Sequence, residues 1–192
     1  MGIEQAIIEE HEPVRHLLTV DDFLILDRAG AFDEIGRVEL IDGEIYVLSP
    51  LFRPHGLTVV ELTVAFRLAL REINSPLKLY AGLSAHLDRH NLPEADLVIA
   101  TDEDDDFASP ASVRLLAEVS YSSLRHDLKR KGALYARTGV PEYWVADVKG
   151  RKIIRMSAPE GLAYSARDEF PFGAIIPSAT IPDLIVDTAA LA

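Results

Sequence analysis

Val113-Arg-Leu-Leu-Ala-Glu-Val-Ser120, then Leu124-Arg-His-Asp-Leu-Lys-Arg-Lys-Gly-Ala-Leu-Tyr-Ala-Arg137, then Glu142-Tyr-Trp-Val-Ala-Asp-Val148, is the stretch that decides the fold. The first run is apolar almost throughout, as expected of a strand buried on both faces. The second has helical spacing and stops at Gly139, in the position of a C′ glycine, with Pro141 just beyond. The third is again a strand of the buried kind. A strand–helix–strand unit of this length forms a crossover with parallel strands and a right-handed connection.

Two charges interrupt this pattern. Glu118 lies in the first strand, on the face of Leu116 and Ser120. A carboxylate there is costly unless it is paired, hydrogen-bonded or on a metal. At 100° per residue, Leu124, Leu128, Lys131 and Tyr135 fall within about 40° of one another on the helix. Lys131 therefore sits inside the apolar stripe, while Lys129 and Arg130 point away from it. The plainer alternatives are a partly exposed strand end for Glu118, and for Lys131 a stem on apolar surface with its ammonium in water.

Working outward, strand 95–100, Ala-Asp-Leu-Val-Ile-Ala, repeats the anomaly at Asp96, whose alternative is a solvated strand start. Upstream, Thr19-Val-Asp-Asp22 caps a helix that ends near Gly30. Residues 37–48 form a hairpin turning at Asp42-Gly43, which pairs Ile41 with Glu44 and Glu39 with Tyr46. A helix over about 54–73 begins near Pro54 and is apolar on two sides, which predicts burial between layers. A further strand covers about 77–87. Residues 151–192 read as short strands and turns that complete the sheet or cover an edge. The expected class is α/β (α+β): a central mixed β-sheet flanked by helices, with an N-terminal helix and β-hairpin extension.

At 192 residues the chain fits one domain that buries about 70 % of its unfolded surface. The expected division is a flexible segment over 1–18 and a single domain over 19–192. The sequence contains no cysteine, which removes disulfides, thiolate metal sites and cysteine nucleophiles and fits a cytoplasmic protein. Residues 1–16 are acidic and lack an apolar core, unlike a signal peptide. The apolar stretch Leu57 to Ile73 carries Glu61, Arg67, Arg71 and Glu72, too many charges for a membrane span. The net charge of −12 argues against non-specific nucleic-acid binding, which needs Lys and Arg. Part of that acid is one run, Asp102 to Asp106, which lacks the alternate spacing and glycine of a calcium loop and reads as solvated.

Asp96, Glu118 and Lys131, aimed inward from consecutive elements, could satisfy one another. They could also do chemistry. Two carboxylates on neighbouring strands can hold Mg²⁺, which neutralises a phosphate and lowers the pKa of a bound water. A lysine beside them can orient or deprotonate the attacking water and stabilise charge building on the phosphorane. His55 is either a partner of this site or a structural residue near a helix start. Glu39 could reach the site, although a solvated hairpin face is its simpler reading. No Gly-x-Ser-x-Gly setting and no phosphate-cradling glycine loop is present.

Four stretches resemble the signatures of the Uma2 family, whose members look like restriction-endonuclease-like PD-(D/E)XK nucleases. They are Glu39 to Pro50 with His55 after it, Asp96 to Ile99, Ala117 to Ser120, and, most specifically, Asp127 to Asp147. The resemblance spans about residues 19–185. It implies a restriction-endonuclease-like core, with Asp96 and Glu118 as carboxylates for Mg²⁺ or Mn²⁺. It also implies Lys131 as the catalytic lysine, replacing the one usually two residues after the glutamate, where Ser120 stands. Glu39, His55, Asp127 and Tyr135 would support them. Ala95 departs from a usual proline, and Tyr121-Ser122-Ser123 from a Ser-Pro-Ser-like turn. The expected activity is hydrolysis of DNA phosphodiester bonds, with DNA as partner and a homodimer suited to duplex cleavage. The alternatives are a catalytically silent binding or regulatory protein with the same fold, and a hydrolase of another phosphate ester.

Overall fold

The computed structural model describes residues 14–192. The expected flexible segment 1–18 therefore lies, over residues 1–13, outside the described residues. Helix α1 (Val20–Arg28) opens with the capping box its sequence predicts: Thr19 accepts from the Asp22 amide and the Asp22 carboxylate answers to the Thr19 amide. Strands β1 (Val38–Ile41) and β2 (Glu44–Val47) form the hairpin in the predicted register, Ile41 opposite Glu44 and Glu39 opposite Tyr46. Asp42 and Gly43 both take positive φ, as a two-residue turn requires.

The body is one six-stranded sheet in the order β3 (Lys78–Ser84), β4 (Glu94–Ala100), β5 (Val113–Ser120), β6 (Glu142–Asp147), β7 (Lys152–Glu160) and β8 (Ala163–Pro171). Only β5 and β6 run parallel, as the crossover demands; every other pair is antiparallel. The tail is more regular than its sequence suggests, since β7 and β8 are nine residues each. Beyond them β9 (Ile175–Pro177) and β10 (Ile185–Asp187) pair separately.

Helix α2 (Arg53–Glu72) covers one face of the sheet, packing Leu62, Phe66 and Leu70 on Leu97, Leu115, Ala117 and Trp144. The expectation that α2 is buried on two sides is overturned. Its second apolar row is in solvent: Leu57, Val60, Val64 and Leu68 are 63 %, 56 %, 49 % and 59 % exposed. The sheet supplies a neighbour on one side only, and among the described residues nothing covers the other.

The opposite face is covered by the crossover, and here too the expectation needs correction. The predicted continuous helix is three pieces: α3 (Leu124–His126), a π turn (Asp127–Lys131) and α4 (Gly132–Arg137). Leu134 and Tyr135 pack on Leu116, Tyr143 and Val145. Single π turns inside helices change which residues share a side, and they recur at functional sites. Among the described residues no helix is long and apolar enough to cross a membrane.

Candidate active site

The site forms where β4 begins and β5 ends, beneath the π turn. The register that sets Val98 opposite Leu116 and Leu97 opposite Ala117 carries one residue further to set Asp96 opposite Glu118. Opposed residues share a face, with Cβ atoms about 4.5–5.5 Å apart.

Each acid is held by one oxygen. Asp96 Oδ2 accepts from the Val119 amide at 2.7 Å and lies 3.2 Å from His55 Nε2. Glu118 Oε1 accepts from Lys131 Nζ and from the Tyr135 hydroxyl, both at 3.0 Å. The remaining oxygens, Asp96 Oδ1 and Glu118 Oε2, have no hydrogen bond among the described residues. Neither is a buried unpartnered atom. Both residues line a cavity of about 340 Å³, together with Glu39, His55, His126 and Lys131.

Lys131 is 3 % exposed, so the solvent-directed alternative does not hold. Its ammonium donates to Glu118 Oε1 at 3.0 Å and to the Glu94 carbonyl at 2.8 Å, and pairs with Glu39 Oε2 at 2.9 Å. Burial works against this charge, but Glu118, Glu39 and Asp127 outweigh it and hold Lys131 above its ordinary range. Burial pushes the Glu118 carboxyl well up, and Asp96, Asp127 and Glu39 push the same way against Lys131. The acids thus outnumber the lysine, and Glu118 is the carboxyl whose charged form this crowding disfavours most.

Glu39 is 1 % exposed, which overturns the solvated reading. Burial raises its carboxyl, but His126, 3.5 Å away, and the charge of Lys131 bring it below its ordinary value, while its Oε1 is a buried oxygen with no hydrogen-bond partner. The hairpin face it occupies is turned into the molecule and covered by the π turn. Asp127 is also buried, and its Oδ2 accepts from the hydroxyls of Ser120 and Ser123 at 2.6 Å each. Ser120, at the position of the absent motif lysine, thus ties the end of β5 to the π turn.

Two site residues had no signal in the sequence. One is Glu94, whose carbonyl accepts from Lys131 and whose amide donates to Glu39 Oε2 at 3.3 Å. The other is His126, whose Nε2 lies 3.5 Å from Glu39 Oε1. His126 and Lys131 both reach Glu39 from positions five residues apart, a spacing that an α-helix puts on different sides and an i→i+5 turn brings together.

Among the described residues no three or more His, Asp or Glu side chains are grouped to hold a metal. The donor set is two carboxylates with one unengaged oxygen each, in a pocket with surplus negative charge. That suits an oxygen-preferring cation such as Mg²⁺, which takes one or two protein carboxylates and completes its shell with water and substrate phosphate.

The Uma2 family model, described as "Putative restriction endonuclease", matches residues 20–189. The fold is similar to the crystal structure of a "putative nuclease belonging to DUF820" from Anabaena variabilis. The TM-score is 0.61 at 14 % identity, over 91 % of this chain and 97 % of that one. No curated protein matches the chain.

Proposed function

Because the chain belongs to the Uma2 family of restriction-endonuclease-like proteins, we propose that it is a Mg²⁺- or Mn²⁺-dependent endonuclease that hydrolyses DNA phosphodiester bonds. The observation that carries this reading is that Asp96 and Glu118 line one cavity from neighbouring strands, each clamped through one oxygen with the other left without a hydrogen bond. The two free oxygens would hold the cation. When bound, the cation supplies polarisation of the phosphate and lowers the pKa of an attacking water.

The chain's own residues set this up. The Val119 amide and His55 fix the rotamer of Asp96. Tyr135 and Lys131 fix that of Glu118. Lys131 acts as a positioning cation and not as a base, since its ammonium is engaged by three protein groups and its affinity for protons is raised. The net charge of −12 does not bar a polyanion. The acidic run Asp102 to Asp106 follows the far end of β4, roughly 20 Å from Asp96 at 3.3 Å per residue. Arg125, Lys129 and Arg130 border a depression that adjoins the cavity through Ser122, Ser123 and His126. The apolar row on α2 supports a homodimer, and the lack of cysteine supports a cytoplasmic place of action.

One observation favours a second reading, a binding protein without turnover: the Lys131 ammonium is fully engaged by protein groups, donating to Glu118 and the Glu94 carbonyl and pairing with Glu39. A plasmid-nicking assay decides between them. With Mg²⁺ or Mn²⁺ the wild type should nick. Asp96→Asn and Glu118→Gln should each lose roughly 10²-fold or more, the scale of one essential electrostatic group. Millimolar metal should raise the wild-type Tm and not that of Asp96→Asn. A folded wild type that neither nicks nor gains stability with metal would leave the binding-protein reading standing.

A further inference from the structure

Two aromatic rings frame the mouth of the cavity from separate loops. Phe52 is the last residue before α2 and Tyr121 the first after β5. Both line the cavity, and their ring centroids lie 5.3 Å apart at 43°. Phe52 is still 45 % exposed, and Leu51 beside it 63 %. Lys149, from the turn after β6, places Nζ 4.6 Å from the Tyr121 ring centroid. Neither ring belongs to a hydrophobic core cluster.

We propose that Phe52 and Tyr121 form a stacking platform for an unpaired nucleobase, so that the strand presented to Asp96 and Glu118 is single-stranded or locally unpaired nucleic acid. For the reaction this rests on the nuclease reading; for binding it does not. Glu118 is only 5 % exposed, so a phosphate has to enter the cavity to reach it. A phosphate within a duplex is flanked by paired, stacked bases that do not readily follow it into about 340 Å³. An unpaired nucleotide can, and its base then needs a partner for the stacking it has lost. An exposed aromatic at the rim supplies that partner for any base, since every base has a π face. Lys149 beside Tyr121 supplies a cation for an adjoining phosphate. Such a site selects strand state over sequence.

The test is fluorescence anisotropy with the full chain and Ca²⁺ as the divalent ion. The probes are labelled (dT)₁₂, (rU)₁₂ and a blunt duplex. Single strands should bind at least about 10-fold tighter than the duplex. Phe52→Ala should weaken strand binding about 5- to 150-fold, the measured range for one stacked base, and leave duplex binding alone. Phe52→Trp should restore it. Because Phe52 is exposed, its Tm should hold; if it falls, Lys149→Ala, which should also weaken strand binding, replaces it as the test. Binding of either strand that depends on Phe52 supports the platform. Equal affinity for strand and duplex, or strand binding indifferent to Phe52→Ala, overturns it. The readout is binding, so the two readings fail separately. A chain that binds strands through Phe52 and never cleaves counts against the nuclease reading alone. A chain that cleaves and binds independently of Phe52 counts against the platform alone.

Discussion

Replacing Lys131 with Met would leave Glu39 and Glu118 as two carboxylates in a buried space, with a tyrosine hydroxyl, a histidine and the Glu94 amide as their remaining partners. Removing one member of a buried ion network costs about 3–5 kcal/mol, because the partner charge stays behind. For a chain of this size that lowers Tm by roughly 6–20 °C. Millimolar Mg²⁺ should recover part of the loss by binding only the folded state. A thermal melt with and without metal checks both statements, and an unchanged Tm would show that Lys131 holds nothing together. The residue was legible because a lysine inside an apolar helical stripe is anomalous. Glu39 was not: a hairpin face looks the same in sequence whether it meets solvent or another element.

At the scale of elements, α2 is the sharpest case. Its sequence has two apolar rows, and only packing says which is the core. Phe66 is fully buried, with its ring 5.1 Å from that of Trp144. Phe66→Ala should cost about 3–5 kcal/mol by urea unfolding, whereas Val64→Ser on the exposed row should change stability by no more than about 0.5 kcal/mol. Comparable losses at both positions would mean that the second row is also covered. The crossover helix shows the converse limit. Its ends, its Gly139 stop and its inward lysine follow from the sequence. The π turn does not, since the same residues fit the spacing of an unbroken α-helix. Here the break lets His126 and Lys131 reach one glutamate.

At the scale of the molecule, the exposed row Leu57, Val60, Val64 and Leu68 is a contiguous apolar surface of the kind that marks interfaces. In the proposed homodimer it pairs with its own copy about a two-fold axis. Leu57→Glu combined with Leu68→Glu should then shift the sedimentation mass from dimer to monomer while far-ultraviolet circular dichroism is unchanged. A wild type that sediments as a monomer at all concentrations would remove the dimer. The charge distribution also belongs to this scale, because a net −12 says nothing about where the acid lies.

The sequence by itself determined the crossover and its parallel pair, the register of the 37–48 hairpin, and the anomalous charges Asp96, Glu118 and Lys131. Each rests on short-range rules: burial pattern along a strand, turn chemistry, helical spacing. Tertiary structure alone decided that Asp96 stands opposite Glu118, that Glu39 is buried, that the helix breaks into a π turn, and that one row of α2 stays in water. Those outcomes depend on which surfaces meet. A carboxylate or an apolar row has the same local sequence in either environment, and only the element packed against it determines whether its charge must be paired or its surface left exposed.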